Sequence, residues 1–222
     1  MKMWLGIVSA AGVFSLGAFF LTGNSQTGAG SGPGPNVRPA LMRYEIDAAR
    51  SKFMVKARRG GLAWFKGHDH YIAVKDFSGR AELTLDALNP ASLQMTIRAA
   101  SLEETSDVFT ARQKTIINKE LNDIVLETAK YPEITFKSST VAGALKNGQF
   151  EIKIGGDITL HGVKRHIEIP ATVVVEGETL RARGEFELDR SKFNVKATSA
   201  FHGLVRIKNK LKFTFDIVGR RN

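Results

Sequence analysis

The chain contains no cysteine among its 222 residues. That absence removes disulfides, thiolate nucleophiles, cysteine-ligated zinc and a lipidated N-terminal cysteine at once. It suits an oxidising or a reducing compartment and chooses neither. Catalytic signatures are missing as well. The chain has no G-x-S-x-G elbow, no G-x-G-x-x-G turn and no phosphate-binding P-loop, so it reads as a non-enzyme and no cofactor is expected. Nucleic acid is not an expected partner: there is no aromatic RNP-like strand and no finger spacing, and the 32 Lys and Arg form no dense run. Charge is also missing from the N-terminal region, where Lys2 is the only charged residue before Arg38.

Nearly all of the net charge of +10 therefore belongs to the remainder. A balance of that size favours anionic partners such as phosphorylated lipid head groups or an anionic membrane surface, or it serves solubility alone. Hydrophobic residues make up 43% of the chain, enough for one domain with a substantial core.

The N-terminus reads as an address. After Lys2 the chain is apolar from Met3 to Leu21. This run is long for the apolar part of a signal peptide and close to the ~20 residues that span a bilayer. No A-x-A cleavage site follows. Residues 1–23 are thus a signal peptide or an uncleaved membrane anchor. Residues 24–40, "NSQTGAGSGPGPNVRPA", have linker composition and would reach roughly 20–25 Å as a flexible tether. Either reading exports the body, residues 41–222, and a retained anchor would make the membrane a partner.

From Tyr44 onward the pattern has period two. Phe53, Val55 and Ala57 share one face of "SKFMVKA", and Lys52, Met54 and Lys56 the other. The same alternation runs through Ala81-Leu83-Leu85, Leu93-Met95-Ile97, Ile134-Phe136, Phe150-Ile152-Ile154, Leu180-Ala182-Gly184-Phe186-Leu188 and Leu211-Phe213-Phe215-Ile217. One wet and one buried face is the mark of antiparallel sheet, and eight or more such segments predict a sandwich or a closed barrel. One stretch breaks the pattern. Between Ser106 and Pro132, Ile116, Ile117, Leu121, Ile124 and Val125 carry helical spacing, which predicts one or two short helices that either lid the barrel or cross over its surface. A fragment also repeats: "RSKFMVKA" at 50–57 returns as "RSKFNVKA" at 190–197, which suggests two strands with equivalent roles or chance convergence.

The corner "WFKGHDHY", residues 64–71, concentrates chemistry. On a strand His68 and His70 share a face, while Asp69 and Tyr71 point away. Three readings stand: side chains that satisfy the backbone at a bend, imidazoles that meet a ligand head group, or a metal site completed by His161 or His166. Trp64-Phe65 is a core pair, or a rim that seals a tunnel or dips into a membrane. His161-Gly162 falls between two alternating segments and reads first as a hairpin turn.

Several motifs in order resemble the YceI family of exported lipid- or polyisoprenoid-binding proteins. They are "YEIDAARSKFMVKA", "DFSGRAELTLDALNPASLQMTIRAASLEE", "KYPEITFKSS" and "GDITLHGVKRHIEIPATV", and they extend from about Tyr44 to Val218. His166 stands where many members carry proline, and the His-Asp-His corner resembles only a subset. The resemblance implies an all-β fold: an eight-stranded antiparallel, lipocalin-like barrel with short helices between about 106 and 131. It implies a tunnel for an apolar amphiphile (an isoprenoid, quinone or fatty-acid derivative) and work in the cell envelope, periplasmic or otherwise extracytoplasmic. The candidate tunnel residues are Phe53, Val55, Leu83, Leu85, Phe136, Ile152, Leu160, Phe186, Phe193, Phe213 and Phe215. Trp64, Phe65, His68 and His70 stand at its mouth. The sequence carries no signal for an oligomeric state.

Overall fold

The computed structural model describes residues 40–84, 88, 90–196, 199, 200, 202 and 204–221. The N-terminal apolar run and most of the linker lie outside them, as does the candidate tunnel residue Leu85. No helix among the described residues is long and apolar enough to cross a membrane.

The strands are β1 (Met42–Ile46), β2 (Lys52–Gly60), β3 (His70–Val74), β4 (Phe77–Leu83), β5 (Ala91–Arg98), β6 (Leu102–Glu104), β7 (Glu133–Lys146), β8 (Gln149–Leu160), β9 (Val163–Glu176), β10 (Thr179–Asp189), β11 (Ser199–Ala200) and β12 (Val205–Arg221). Three pairs of these are single staves broken by a bend. β1 and β2 both pair with β12, β4 and β3 continue alongside them, and β5 and β6 follow in turn. Counted as staves, β1–β2, β3–β4, β5–β6, β7, β8, β9, β10 and β12 make an eight-stranded antiparallel meander in which β12 closes onto the first stave. Because β12 closes onto the first stave, neither the first nor the last stave is left as a free edge, which is how an all-β chain avoids exposing a pairing template.

The bends explain why the alternation yields more segments than staves. A 3₁₀ turn, Ala48–Arg50, separates β1 from β2, and another, Ala99–Ser101, separates β5 from β6. A bend strands backbone groups, and serine hydroxyls take them up. Ser51 Oγ donates to Asp47 O (2.7 Å) and accepts from Val218 N–H (2.9 Å); Ser101 Oγ accepts from Asp76 N–H (3.0 Å).

The period-two pattern decides the two faces. On β12, Leu211, Phe213, Phe215 and Ile217 join the core. Outside, charges pair across strands, with Asp216 holding Arg181 in two hydrogen bonds of 2.6 Å and Arg183 at 3.1 Å. Those arginines pull the Asp216 carboxyl down to about 2 against the opposing effect of burial. Inside, two glycines make room for phenylalanine rings. A Cβ on Gly156 would stand 2.7 Å from Phe136 Cζ, and one on Gly184 would stand 2.6 Å from Phe215 Cζ.

The seams are unequal. β7, β8 and β9 pair along nearly their whole length, but β9 and β10 pair only from Glu176↔Thr179 to Thr172↔Arg183. Pro170 follows, and its nitrogen has no hydrogen to donate. β5 pairs with β7 over Gln94–Arg98, while β6 pairs with β3. The chain leaving β6 forms helix α1 (Ala111–Glu120), which runs on as a π-helical turn, Leu121–Val125. Thr110 starts it with a reciprocal capping box to Gln113. This is the helix predicted from the broken alternation.

The repeated fragment takes two shapes. In the first copy Lys52–Ala57 lies in strand β2; in the second, Arg190–Phe193 is a 3₁₀ turn. The expectation of equivalent strands is therefore corrected. The two octapeptides differ only at Met54 and Asn194, and Asn194 is the residue that turns left-handed, at φ 58°. Asparagine tolerates that conformation far better than an unbranched apolar residue.

Candidate functional site

The barrel has two ends. Tight turns at Asn147-Gly148 and Gly177 mark one, where β4 also ends and β5 begins. The other carries the β2–β3 loop, the β8–β9 turn, the helix and the long β10–β12 connection. An apolar cavity lies toward each end.

The cavity at the helix end has a volume of about 190 Å³. Val55, Ile72, Ile158, Leu160, Leu211 and Phe213 line it from the barrel, and Ile117, Leu121, Val125 and Leu126 close it from the helical segment. The helix is thus a lid, not a surface crossover. Four polar side chains also reach this wall: His70, Glu120, Arg190 and Lys196. The cavity at the turn end has a volume of about 110 Å³, with Leu83, Met95, Ile152, Phe186, Phe215 and Ile217 among its walls.

Phenylalanines separate the two. Phe186 stacks on Phe213 at 4.9 Å and 10°, Phe53 meets Phe77 edge-on at 6.1 Å, and Phe53 reaches Phe213 and Phe215 at 6.3 and 6.5 Å. A cavity of about 150 Å³ accommodates a benzene-sized molecule. Each chamber on its own therefore fits only a short stretch of hydrocarbon, and a long chain must pass the phenylalanine waist.

The candidate tunnel residues divide accordingly. Val55, Leu160 and Phe213 line the larger chamber; Leu83, Ile152, Phe186 and Phe215 line the smaller one. Phe53 belongs to the waist. Phe136 is buried beside Gly156, and Phe193 is buried in the turn after β10; neither lines a chamber. Trp64 and Phe65 are exposed, which sets aside the core-packing reading of that pair.

The histidine corner separates its residues. β3 begins only at His70, so strand parity does not reach back to His68. His68 is exposed and touches Phe109 edge-on at 5.7 Å, without lining either chamber. Asp69 accepts from Arg59 N–H (3.0 Å) and pairs with Lys56 (3.3 Å), which is the backbone-satisfying role. His70 lines the larger chamber, stacks on Phe109 at 5.1 Å and donates from Nδ1 to Glu104 Oε2 at 2.7 Å. Glu104 is fully buried. Its other oxygen accepts from the amides of Tyr71 (3.2 Å) and Ser106 (2.8 Å). Burial alone would raise this carboxyl, but His70 and the two amides outweigh it and hold the group below its ordinary value.

The remaining histidines lie with other partners. His161 occupies the β8–β9 turn at φ 51°, buried, with Nε2 donating to Glu127 (2.7 Å) and its ring 4.3 Å from Tyr131. It pins the segment after the helix to the barrel. His166 sits on the outer face with Asp157 (3.2 Å). The metal set suggested by the sequence is therefore dispersed over three carboxylates, and no group of three or more potential ligands gathers among the described residues.

Sequence reading missed Arg190. Its Nη1 and Nη2 donate to Val195 O (2.8 Å) and Ile207 O (3.2 Å), and its buried Nε–H has no partner. The adjacent Asp189 is occupied with Ser191 instead. Burial lowers the arginine's proton affinity, with Asp189 opposing, yet a guanidinium stays charged. The larger chamber thus has a cation in its wall, and that cation keeps one buried donor unanswered.

Comparison with known proteins agrees with this architecture. Residues 44–219 match the family model described as the YceI-like domain. The chain is 31% identical over 165 residues to Protein YceI of Escherichia coli O6:H1, covering 69% of this chain and 76% of that one. Among solved structures it resembles Burkholderia cenocepacia BcnA, with a TM-score of 0.62 at 24% identity over 78% of this chain and 98% of that one. It also resembles a polyisoprenoid-binding domain from Saccharophagus degradans implicated in plant cell wall breakdown, with a TM-score of 0.58 at 14% identity over 82% and 99%.

Proposed function

This chain belongs to the YceI-like domain family, and we propose that it is a binding protein which encloses an elongated apolar amphiphile along its barrel axis. The observation that carries the reading is the pair of apolar chambers in one barrel, with stacked phenylalanine rings shared between their walls. Rings can rotate where a strand cannot, so a bound chain would thread the waist and fill both chambers at native packing density. The fold shared with a polyisoprenoid-binding domain supports an isoprenoid, with a quinone or fatty-acid derivative as chemically equivalent cargo.

The chambers also give the cargo a direction. The turn-end chamber offers hydrocarbon walls. The helix-end chamber offers Arg190, Lys196 and the His70–Glu104 pair, so the polar head lies there. The N-terminal apolar run directs this domain out of the cytoplasm and, if retained, tethers it to the inner membrane. The test is organic extraction of the purified full chain followed by mass spectrometry. A stoichiometric amphiphile of defined length is expected. A folded protein that carries none, and takes none from envelope lipid extracts, would falsify the proposal.

A further inference from the structure

The β2–β3 loop presents apolar side chains to solvent with no explanation in the barrel's own stability. Leu62 is 86% exposed, Phe65 64% and Trp64 54%; from the facing β11–β12 connection, Leu204 is 46% exposed. These residues form one tip. Ala63 N–H donates to Leu204 O (3.0 Å), Gly67 N–H closes a 3₁₀ turn on Trp64 O (3.1 Å), and the Trp64 and Phe65 rings meet edge-on at 6.5 Å. Arg59 braces the tip from behind. Its guanidinium donates to Gly67 O (2.6 Å) and lies 5.4 Å over the Trp64 ring. The apolar groups are therefore held outward by a hydrogen-bonded scaffold.

Along the two chain segments that form the tip the charge has one sign. From Arg58 to His68 the chain carries Arg58, Arg59 and Lys66 and no acid; from Ser199 to Lys212 it carries Arg206, Lys208, Lys210 and Lys212 and no acid. Lys210 and Lys212 face Glu187 and Glu185, so a docking role falls chiefly to Arg58 and Lys208. Asp69, the first acid after the loop, is engaged by Lys56 and the Arg59 amide. The tip also stands at the chamber's end of the barrel, since Ala57 and Ile207 line the larger chamber a few residues along the same two strands.

We propose that this tip is a membrane-docking device: Leu62, Trp64, Phe65 and Leu204 enter the interfacial region of an anionic bilayer while the surrounding cations meet its head groups. Aromatic and aliphatic groups ringed by Lys and Arg match that interface in both chemistry and order. A side chain that stands as proud of the surface as Leu62 suits a fluid interface better than the groove of a folded partner. Docking brings the larger chamber's end to the membrane, where an apolar cargo can pass without crossing water. The inference does not depend on which cargo that is.

The cysteine-free chain makes the test direct. A single cysteine at Leu62, and in a second variant at Leu145 near the β7–β8 turn at the opposite end, is labelled with an environment-sensitive fluorophore in the full chain. Both labelled proteins must melt within a few degrees of the parent. With phosphatidylglycerol vesicles, the Leu62→Cys label is expected to shift to the blue and become several-fold less accessible to aqueous iodide, whereas the Leu145→Cys label is not. Arg58→Gln/Lys208→Gln in the Leu62→Cys background is expected to need roughly tenfold more anionic lipid for the same shift. Equal exposure of the two labels on these vesicles overturns the proposal. So does equal shielding by pure phosphatidylcholine, or shielding of Leu62→Cys only by an added acidic protein. The paired labels keep the readout separate from any membrane affinity of the N-terminal run.

Discussion

The two ends of this barrel are built from the same alternating strands and differ in nearly everything else. The turn end carries the short turns at Asn147-Gly148 and Gly177 and a chamber walled almost wholly by hydrocarbon. The helix end carries the long loops, the exposed aromatic tip, the histidine corner, and a chamber with a buried pair and a cation in its wall. A symmetric barrel would hold an apolar chain in either direction. On the proposed function the asymmetry would orient the amphiphile, because a polar head left at the turn end would go without hydrogen-bond partners.

The strongest way to break the comparison is to remove what separates the chambers. Phe213→Ala takes away a ring that lines the larger chamber and stacks on Phe186. Empty protein should lose about 3–5 kcal/mol of stability, measured by denaturant unfolding. A bound long-chain amphiphile should restore more of that loss than a short one, because it alone fills the joined space. An equal rescue by both would mean that the chambers do not act in series.

A smaller effect should come from Glu104. A carboxyl held below its ordinary value contributes stability that is fully present above the unfolded-state value, near pH 4. That contribution disappears as the pH falls through the lower folded value. Glu104→Gln should therefore cost about 1–3 kcal/mol at pH 7 and flatten the acid limb of a melting-temperature profile below pH 4. Asp216, drawn down to about 2, supplies an internal control on the outer wall, since its acid limb should persist in the variant. An unchanged limb in Glu104→Gln would remove the buried pair from the account of the helix end.

The smallest change, and the most selective, is Arg190→Gln. It should weaken a fatty acid by about tenfold while moving the alcohol of equal chain length much less, as read by competitive titration. Equal weakening of acid and alcohol would show that Arg190 only holds the loop together through Val195 O and Ile207 O.

Legibility followed the same divide. The staves were readable because each has one buried face, and that face writes a period of two whatever the rest of the chain does. The helix was readable as an interruption in that period. The bends at Ala48–Arg50 and Ala99–Ser101 were not, because a one-turn bend interrupts the alternation too briefly to leave its own signature. Strand parity failed at His68 for a similar reason, since the strand it was counted on starts two residues later. Arg190 was hidden more deeply. It stands in the repeated octapeptide, where its first copy, Arg50, ends a surface turn, and only the fold of the β10–β12 connection gives the second copy its buried place.

The short seam between β9 and β10 has a mechanical meaning. A ring of eight staves stitched along its full height has a circumference set by its hydrogen bonds. Below Pro170 this ring is joined at one seam by side chains and by the Arg165 reach to Lys192 O (3.1 Å) in place of a ladder. At that level the wall behaves as a split collar. For the proposed guest, this is a level at which the wall can widen without breaking a β9–β10 ladder, whereas at the turn end the same two strands are laddered from Glu176↔Thr179 to Thr172↔Arg183.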